Sequence, residues 1–218
     1  MNKIKVRQYS QFGLALLVFI VMLVGLRLLF DERIKNTEYR ASIKIDAVRE
    51  DDEEDHFTLE VIKTKEGAKI ISSNYDKPIY AHGGKIILDS GGKFKYAQVN
   101  STFDDGIKIL NKLVTDKKIV EDGNEYICNP LIEAETIDEV LQMVLINRKT
   151  TEDVHAHIIG NKKKIKSFTL YLTDIEGYKG INIAMSFDEI QKGYSNKLPN
   201  FYDEVMERVE FADIAMIK

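Results

Sequence analysis

The 218-residue chain contains one cysteine, three prolines and no tryptophan. A single cysteine excludes an internal disulfide and every zinc or iron–sulfur site that needs several cysteines. The three prolines and 13 glycines exclude a collagen-like chain or a proline-rich linker. The composition is 44% apolar and 30% charged, which is typical of a globular protein and not of a disordered or polytopic membrane protein.

Motifs for catalysis and nucleotide binding are also missing. The chain has no Gly-x-Ser-x-Gly motif, and Ser90 lies in a predicted hairpin turn instead of a strand-to-helix elbow. Neither of the glycine-rich phosphate-binding patterns occurs. Cys128 has no basic neighbour and is interpreted as a buried, unreactive thiol. We therefore expect no cofactor and no enzymatic activity.

One long apolar run is present, at residues 12–30, where Arg27 is the single charged residue. A helix of this length is roughly 28 Å long, close to the hydrocarbon thickness of a bilayer. The alternative is a cleaved secretory signal, but the run exceeds the usual signal core and no small-x-small triplet precedes Asp31. The run predicts an uncleaved anchor, with the lipid bilayer as its partner.

The predicted anchor divides the chain into four segments. Residues 1–11 form a short basic N-terminus, residues 12–30 the transmembrane anchor, residues 31–37 a juxtamembrane linker, and residues 38–218 one domain. A short basic N-terminus before a long C-terminal domain is the usual signal-anchor arrangement. We therefore expect a single-pass protein of a cell membrane with an extracytoplasmic C-terminal domain.

The part of the chain after the anchor is acidic. Residues 31–218 contain 27 basic and 35 acidic residues, a net charge of −8. A nucleic-acid backbone needs clustered lysine and arginine, so we expect no nucleic-acid partner. The basic run Lys162–Lys164 is interpreted as a solvated hairpin tip, with an anionic-lipid patch as the alternative.

Apolar and polar residues alternate through most of the domain, which predicts half-buried strands. Tyr39–Ala47 and Phe57–Val61 flank the acidic run 50–55, interpreted as a solvated hairpin connection rather than a calcium site. Further strands are predicted around residues 68–72, 79–81, 85–89, 93–97, 125–128, 154–158, 168–172 and 181–187. The connections in the first half are too short for crossover helices, so these strands are expected to be antiparallel.

Helical spacing of apolar residues occurs in three places. Residues 107–114 have one apolar face, a second helix is expected to open at the capping box Thr136–Glu139, and a third lies around Asn200–Phe211. Together these elements predict an α+β fold class, with a single N-terminal transmembrane helix followed by a large antiparallel sheet that has two or three helices on one face.

Two histidines are candidates for a metal site. His155 and His157 are two residues apart on a predicted strand, and Asp153 shares their face. The residues between them are apolar and form the core-facing side of that strand. We therefore interpret both histidines as solvent-facing strand residues and expect no bound metal.

The order of elements resembles the LolA/LppX-like fold of envelope lipoprotein carriers and lipid-binding proteins. The similarity runs through the strand–turn–strand EDVHAHIIGNKKKI at residues 152–165 and the strands at 168–172 and 180–188. In that family an antiparallel sheet curls into a half-barrel, and helices cover its concave face around an apolar cavity. The resemblance, which covers most of residues 38–199, implies a curved, half-barrel-like sheet and a lipid ligand. The chain departs from the family in its predicted protein anchor, because those carriers are soluble or lipid-anchored.

The resemblance also implies which side chains line the cavity. They are apolar residues of the concave sheet face and the inner helices: Leu59, Val61, Leu110, Leu141, Val144, Phe168, Leu170 and Phe187. The alternative for each is ordinary core packing, because a cavity needs apolar side chains that do not meet.

The predicted function is that of a non-enzymatic, membrane-anchored envelope protein whose outer domain binds a lipid or another apolar ligand. One alternative is a structural or regulatory subunit of an envelope machine for sporulation, division or secretion, which would dock on an envelope protein partner through an exposed apolar patch. A second alternative is a hydrolase or metal enzyme that uses His155 and His157. The high isoleucine, lysine and asparagine content indicates a bacterial origin.

Overall fold

The computed structural model describes residues 38–100, 102–103, 109–110, 113, 118–119, 125–161, 164–188, 198–201 and 206–217. All of them belong to one compact unit, Glu38–Lys218. The anchor predicted at residues 12–30 lies outside the described residues and stays a prediction. Within the described ranges, no helix has both the length and the apolar composition needed to cross a bilayer.

Most of the described residues belong to one β-sheet. Its strands are β1 (Tyr39–Arg49), β2 (Glu54–Thr64), β3 (Gly67–Ser72), β4 (Ile79–His82), β5 (Lys85–Asp89), β6 (Phe94–Gln98), β7 (Lys118–Ile119), β8 (Glu125–Cys128), β9 (Leu131–Ile132), β10 (Val154–Asn161), β11 (Lys164–Leu172), β12 (Tyr178–Asp188) and β13 (Met206–Arg208). The spatial order is β13-β6-β5-β4-β3-β2-β1-β12-β11-β10-β8-β7, and β9 pairs with β10. The described neighbours pair antiparallel, with the exception of β13, which runs parallel to β6. The strands predicted from the two-residue period are confirmed, and so is the antiparallel pairing predicted from the short connections of the first half.

One face of the sheet carries the main core, and we call it the inner face. Along β1, alternate residues from Tyr39 to Ala47 are at most 5% exposed, because a strand turns successive side chains to opposite faces. Their cross-strand partners include Leu59 on β2 and Met185 on β12, both buried. The inner face of the whole sheet therefore contributes to one continuous apolar cluster.

A ten-residue helix, α1 (Ala134–Met143), completes the inner core. Its apolar residues recur at helical spacing, and Ile137, Val140 and Leu141 are fully buried in the same cluster as the strand residues. The predicted helix in this region is thereby confirmed. Its amphipathic stripe is what fixes it in the core, since isolated helices of this length are marginal in water.

The start of α1 differs from the prediction. The capping box Thr136–Glu139 is wrong, because the N-cap residue is Glu133 and it makes no side-chain cap hydrogen bond. The backbone N–H of Ala134 instead donates to the carboxylate of Asp153, at 3.0 Å. Asp153 comes from the segment just before β10, so a distant residue replaces the local cap.

The helix predicted around Asn200–Phe211 is wrong. Phe201 packs against aromatic rings on one side of the sheet, whereas Met206 begins β13 at the sheet edge. A four-residue helix, α2 (Phe211–Ile214), follows β13. The helical spacing of apolar residues here therefore comes from two separate packing contacts and not from one helical face.

The predicted fold class is wrong as well. We predicted the α+β class, with a transmembrane helix followed by a sheet that has two or three helices on one face. The described residues do not have this architecture. Most of them form one large sheet, and the helices described over their whole length are the ten-residue α1 and the four-residue α2; Phe103, Ile109 and Leu110 are also helical. The helix predicted at residues 107–114 lies mostly outside the described residues, among which Leu110 is buried in the core. The domain is sheet-dominated because its core is built mainly by residues of the strands themselves.

The C-terminal segment, residues 209–217, returns from the sheet edge into the core. Ile214 and Ile217 are each 1% exposed. The hydroxyl of Tyr75 donates to the carbonyl oxygen of Ile214 at 2.7 Å, and the N–H of Asn147 donates to the carbonyl oxygen of Ile217 at 2.8 Å. The segment thus connects the two halves of the chain through buried contacts.

Candidate functional site

The outer face of the sheet, opposite the main core, is covered at the β3–β6 end. Ile62 and Ile87 are 6% and 1% exposed, although neither belongs to the main core cluster. The register places Ile62 beside Lys69, Lys69 beside Tyr80, and Tyr80 beside Ile87, so all four side chains project from the outer face. A second, smaller apolar cluster therefore lies on this side of the sheet.

Residues 198–201 cover this second cluster. The ring of Phe201 lies edge-on to Tyr80, with ring centres 5.5 Å apart, and edge-on to Phe94 at 5.6 Å. His82 adds a tilted ring contact at 6.1 Å. Edge-to-face pairs at these distances contribute beyond the area that they bury, so Phe201 anchors the segment to the sheet.

Gly67 at the start of β3 permits this close approach. Its φ of +144° belongs to a region that favours glycine, and an added Cβ would lie 2.6 Å from the carbonyl oxygen of Ala81 and 2.7 Å from Leu198 Cδ1. Any larger residue would push the covering segment away from the strand. Position 67 therefore needs glycine for both its backbone and its packing.

Between the covering segment and the sheet runs a half-open cavity of about 820 Å³, which we call the outer groove. Apolar and aromatic side chains make up most of its wall. The described residues that line it are Glu66, His82, Gly83, Lys85, Ile87, Tyr96, Leu198, Pro199, Asn200, Phe201 and Met206. Among the described residues, this lining contains no serine, threonine or cysteine side chain.

The polar groups of the outer groove lie at the β4–β5 hairpin. The ammonium group of Lys85 lies over the ring of Tyr96, 4.8 Å from its centre, as in a cation–π contact. His82 Nδ1 lies 2.7 Å from the carbonyl oxygen of Glu66, so this nitrogen carries the proton and donates it. The β4–β5 end of the groove is therefore polar, and the remaining wall is mostly apolar, with Asn200 as the exception.

Tyr80, on the same face of the sheet, is partly shielded from water. Burial, and secondarily the carboxylate of Asp89, raise the pKa of Tyr80 above its usual value. Both effects disfavour the phenolate, so the hydroxyl stays neutral at any physiological pH. The side chain of Tyr80 therefore adds no charge to the outer face beside the groove.

The eight predicted cavity residues lie elsewhere. Leu59, Val61, Leu110, Leu141, Val144, Phe168 and Leu170 are at most 1% exposed in the inner core, and Phe187 is partly buried against it. None of the eight lines the outer groove. The structure thus brings them together within one cluster, and their role in holding a ligand stays a prediction.

The candidate metal residues do not converge on one another. His155 and His157 are exposed on the outer face, and their Nδ1 atoms donate to the backbone and side-chain oxygens of Asn129, at 3.1 and 2.7 Å. Asp153 is engaged with the start of α1 instead. Among the residues described, no cluster of three or more His, Cys, Asp or Glu side chains is placed to hold a metal ion.

Residues 50–53 of the acidic run form the predicted β1–β2 hairpin connection, and Glu54 and Asp55 are the first two residues of β2. Arg49 contacts Asp55 in a bidentate pair, with distances of 2.6 and 2.9 Å, and Lys179 pairs with Asp52. Nearby, His56 Nδ1 lies 2.7 Å from Asp46 Oδ1 on the neighbouring strand. Cations of the domain itself thus neutralise part of the run.

The pair His56–Asp46 gives a testable pH dependence. The hydrogen bond to Asp46 raises the pKa of His56 above 6.5, and Glu54 raises it further. Because the folded-state pKa exceeds the unfolded one, the pair stabilises the fold fully below about pH 6.5, and this contribution disappears as pH rises through the raised pKa. We expect Asp46→Asn to lower the His56 pKa in an NMR titration. Asp51→Asn is the control and should leave it unchanged; an equal shift in both variants would contradict the pairing.

Sequence reasoning missed the outer groove, although one local signal was present. The central residues of β5, Ile86-Ile87-Leu88, form a continuous apolar run, which is typical of a strand buried on both faces. Nothing local identifies the cover, because Phe201 lies more than a hundred positions further along the chain. The eight residues predicted to line a cavity lie in the inner core, and the outer groove is a separate cavity on the opposite face of the sheet.

Comparison with known proteins adds little. No family model matches the chain, and no curated protein matches it. Among solved structures, the chain is similar to a LolA superfamily protein from Nitrosomonas europaea, with 11% sequence identity and a TM-score of 0.30 over 76% of this chain and 89% of that chain. The match is to the superfamily that the sequence resembles, and a TM-score of 0.30 carries no argument about function.

Proposed function

We propose that the domain is a non-enzymatic binding protein that holds a lipid or another apolar ligand in the outer groove. The observation that supports the proposal is the groove itself. Its volume of about 820 Å³ falls among typical ligand sites, which span about 300–1,000 Å³. Such sites are mostly apolar with a few polar groups that orient the ligand, as here.

The proposal assigns a separate task to each wall of the groove. Ile87 and Tyr96 on the sheet form a rigid floor, because both of their strands are paired on both sides: β5 with β4 and β6, and β6 with β5 and the parallel strand β13. Leu198 and Phe201 form the cover, which is attached to the sheet through aromatic contacts. An acyl chain between the two would be removed from water on both sides, and each buried methylene stabilises by about 0.8 kcal/mol.

The proposal places the domain at the outer face of a cell membrane. This location is supported by the sequence of residues 12–30 and by the basic N-terminus before them. A ligand-binding domain at this position would take up apolar molecules from the bilayer or from the space beside it.

The decisive experiment uses the full chain and a long-chain fatty acid that carries a photoactivatable diazirine. After irradiation, mass spectrometry maps the labelled peptides. We expect the label on peptides that contain Tyr96 or residues 198–201. Label that is confined to residues 12–30, or absent from the groove peptides, would contradict the proposal.

Leu198→Asp is expected to lower the groove labelling roughly tenfold, because it places a carboxylate against the apolar ligand. Leu198 is only half-buried and outside the main core, so the fold should survive, which circular dichroism checks. The matched control is Ile71→Asp, on the same outer face, 44% exposed and outside the groove. Equal labelling in the two variants would show that the ligand does not bind under Leu198.

A further inference from the structure

We infer that the outer groove selects a single-chain amphiphile with an anionic head group, which Lys85 binds. This inference rests on the proposed function and specifies its ligand.

The groove changes character along β5. Lys85 and Ile87 project from the same face, two residues apart, and pair with Gln98 and Tyr96 on β6. Towards the hairpin the wall is formed by His82, Gly83 and Lys85, and the remaining wall is mostly apolar, with Asn200 in the covering segment as a polar exception. A ligand that fits both ends has a polar head group and an apolar chain.

The ammonium of Lys85 is available to a head group. Its contact is the ring of Tyr96, and among the described residues it has no carboxylate within ion-pair distance. A half-buried cation without a counter-charge attracts an anion more strongly than a fully solvated one. The ring also limits the positions of the long side chain, which reduces the entropy lost on binding.

Glu66 is the carboxylate that lines the groove, and it would favour a cationic head group. It is exposed in the β2–β3 turn, where water and salt screen its charge. Lys85 is half-buried, so water and salt screen its attraction for a charged ligand less than they screen that of Glu66. Two further charges lie on the same face outside the lining: Arg208, opposite Tyr96 in the β13–β6 pair, and Asp89, at the far end of β5 near Tyr80, so together they leave the net charge there unchanged. The balance therefore favours an anion.

The test uses the full chain and three diazirine probes of equal chain length, which end in a carboxylate, an alcohol or a trimethylammonium group. We expect the carboxylate probe to label the groove peptides roughly tenfold more than the alcohol, the difference expected for a hydrogen bond to a charged group. Lys85→Gln should reduce this preference to about one, and Lys85→Arg should restore it. Lys44→Gln, at an exposed lysine of the outer face in β1, should leave it unchanged.

The outcomes separate this inference from the proposed function. Equal groove labelling by acid and alcohol, unaffected by Lys85→Gln, would overturn the anionic head group and leave the groove as a ligand site. Preference for the trimethylammonium probe would indicate that Glu66 binds the head group, and it would also overturn the inference of an anionic head group. Absence of labelling in the groove by all three probes would contradict the proposed function itself.

Discussion

A chain that ends at Val209 is expected to lose its folded domain. The deletion removes the buried side chains of Ile214 and Ile217 and exposes the inner surface that they cover. Each such isoleucine contributes about 2–5 kcal/mol when judged by truncation to alanine. The sum is comparable with the whole stability of an ordinary domain, about 5–15 kcal/mol.

The deletion also leaves buried polar groups without partners. The hydroxyl of Tyr75 loses the carbonyl oxygen of Ile214, and the carbonyl oxygen of Leu145 loses the N–H of Met216. An unsatisfied buried polar group costs about 1–3 kcal/mol. The loss of these hydrogen bonds lowers the free energy of unfolding further, in addition to the loss of the buried isoleucine side chains.

Circular dichroism and urea titration of the purified chains measure this effect. Ile214→Ala alone should lower the free energy of unfolding by about 2–5 kcal/mol. The control is Glu207→Ala on exposed β13, which should change it by less than about 0.5 kcal/mol. A cooperative unfolding transition in the chain that ends at Val209, close to that of the full chain, would refute the structural role of the C-terminal segment.

Phe168→Ala is expected to lower the free energy of unfolding by about 3–5 kcal/mol. Phe168 is fully buried in the centre of β11, where it lies between Ile158 on β10 and Met185 on β12. Removing the ring loses the free energy gained by burying it away from water. It also leaves a cavity, which the surrounding strands cannot fill because they are paired on both sides. Ligand labelling in the outer groove should persist in the fraction that remains folded, because Phe168 faces the inner core.

The control for Phe168 is Tyr171→Ala in the same strand. Tyr171 is 56% exposed on the outer face, so the same loss of a ring should cost only about 1 kcal/mol. Chemical denaturation of the two variants provides the comparison. Similar losses for both would mean that β11 does not present Phe168 to the core. A strong loss of groove labelling in folded Phe168→Ala would instead favour a ligand in the inner core, where the family resemblance implies it.

The local sequence predicts the strands, because a half-buried strand has apolar residues on its buried face and polar residues on its exposed face, and these alternate along the chain. Tyr39–Ala47 shows this directly, and its alternate residues are buried as expected. The Gly83-Gly84 pair also predicts a hairpin turn from sequence, because glycine readily adopts the positive φ that a tight turn requires. Both residues have a positive φ in the structure. Local pattern and local geometry coincide at these positions.

The errors occurred where a residue is explained by a partner far along the chain. Asp153 caps α1 from 19 positions away, so the nearby Thr136 was mistaken for the cap. Phe201 and Met206 have helical spacing but pack against the outer face and join the sheet edge, respectively. Each pattern was real, and its cause was a tertiary contact.

The sequence by itself determined that a sheet of antiparallel strands would form and which residues of most strands would face the core, since burial on one face imposes a two-residue period. Only the tertiary structure decided that residues 198–201 cover the opposite face at the β3–β6 end and that Lys85 and Ile87 share one groove there. The floor and the cover of the groove lie about a hundred residues apart in the sequence. The hydrophobic effect between them depends on the apolar area that they bury and has no direction, so no local sequence pattern predicts which segments will meet.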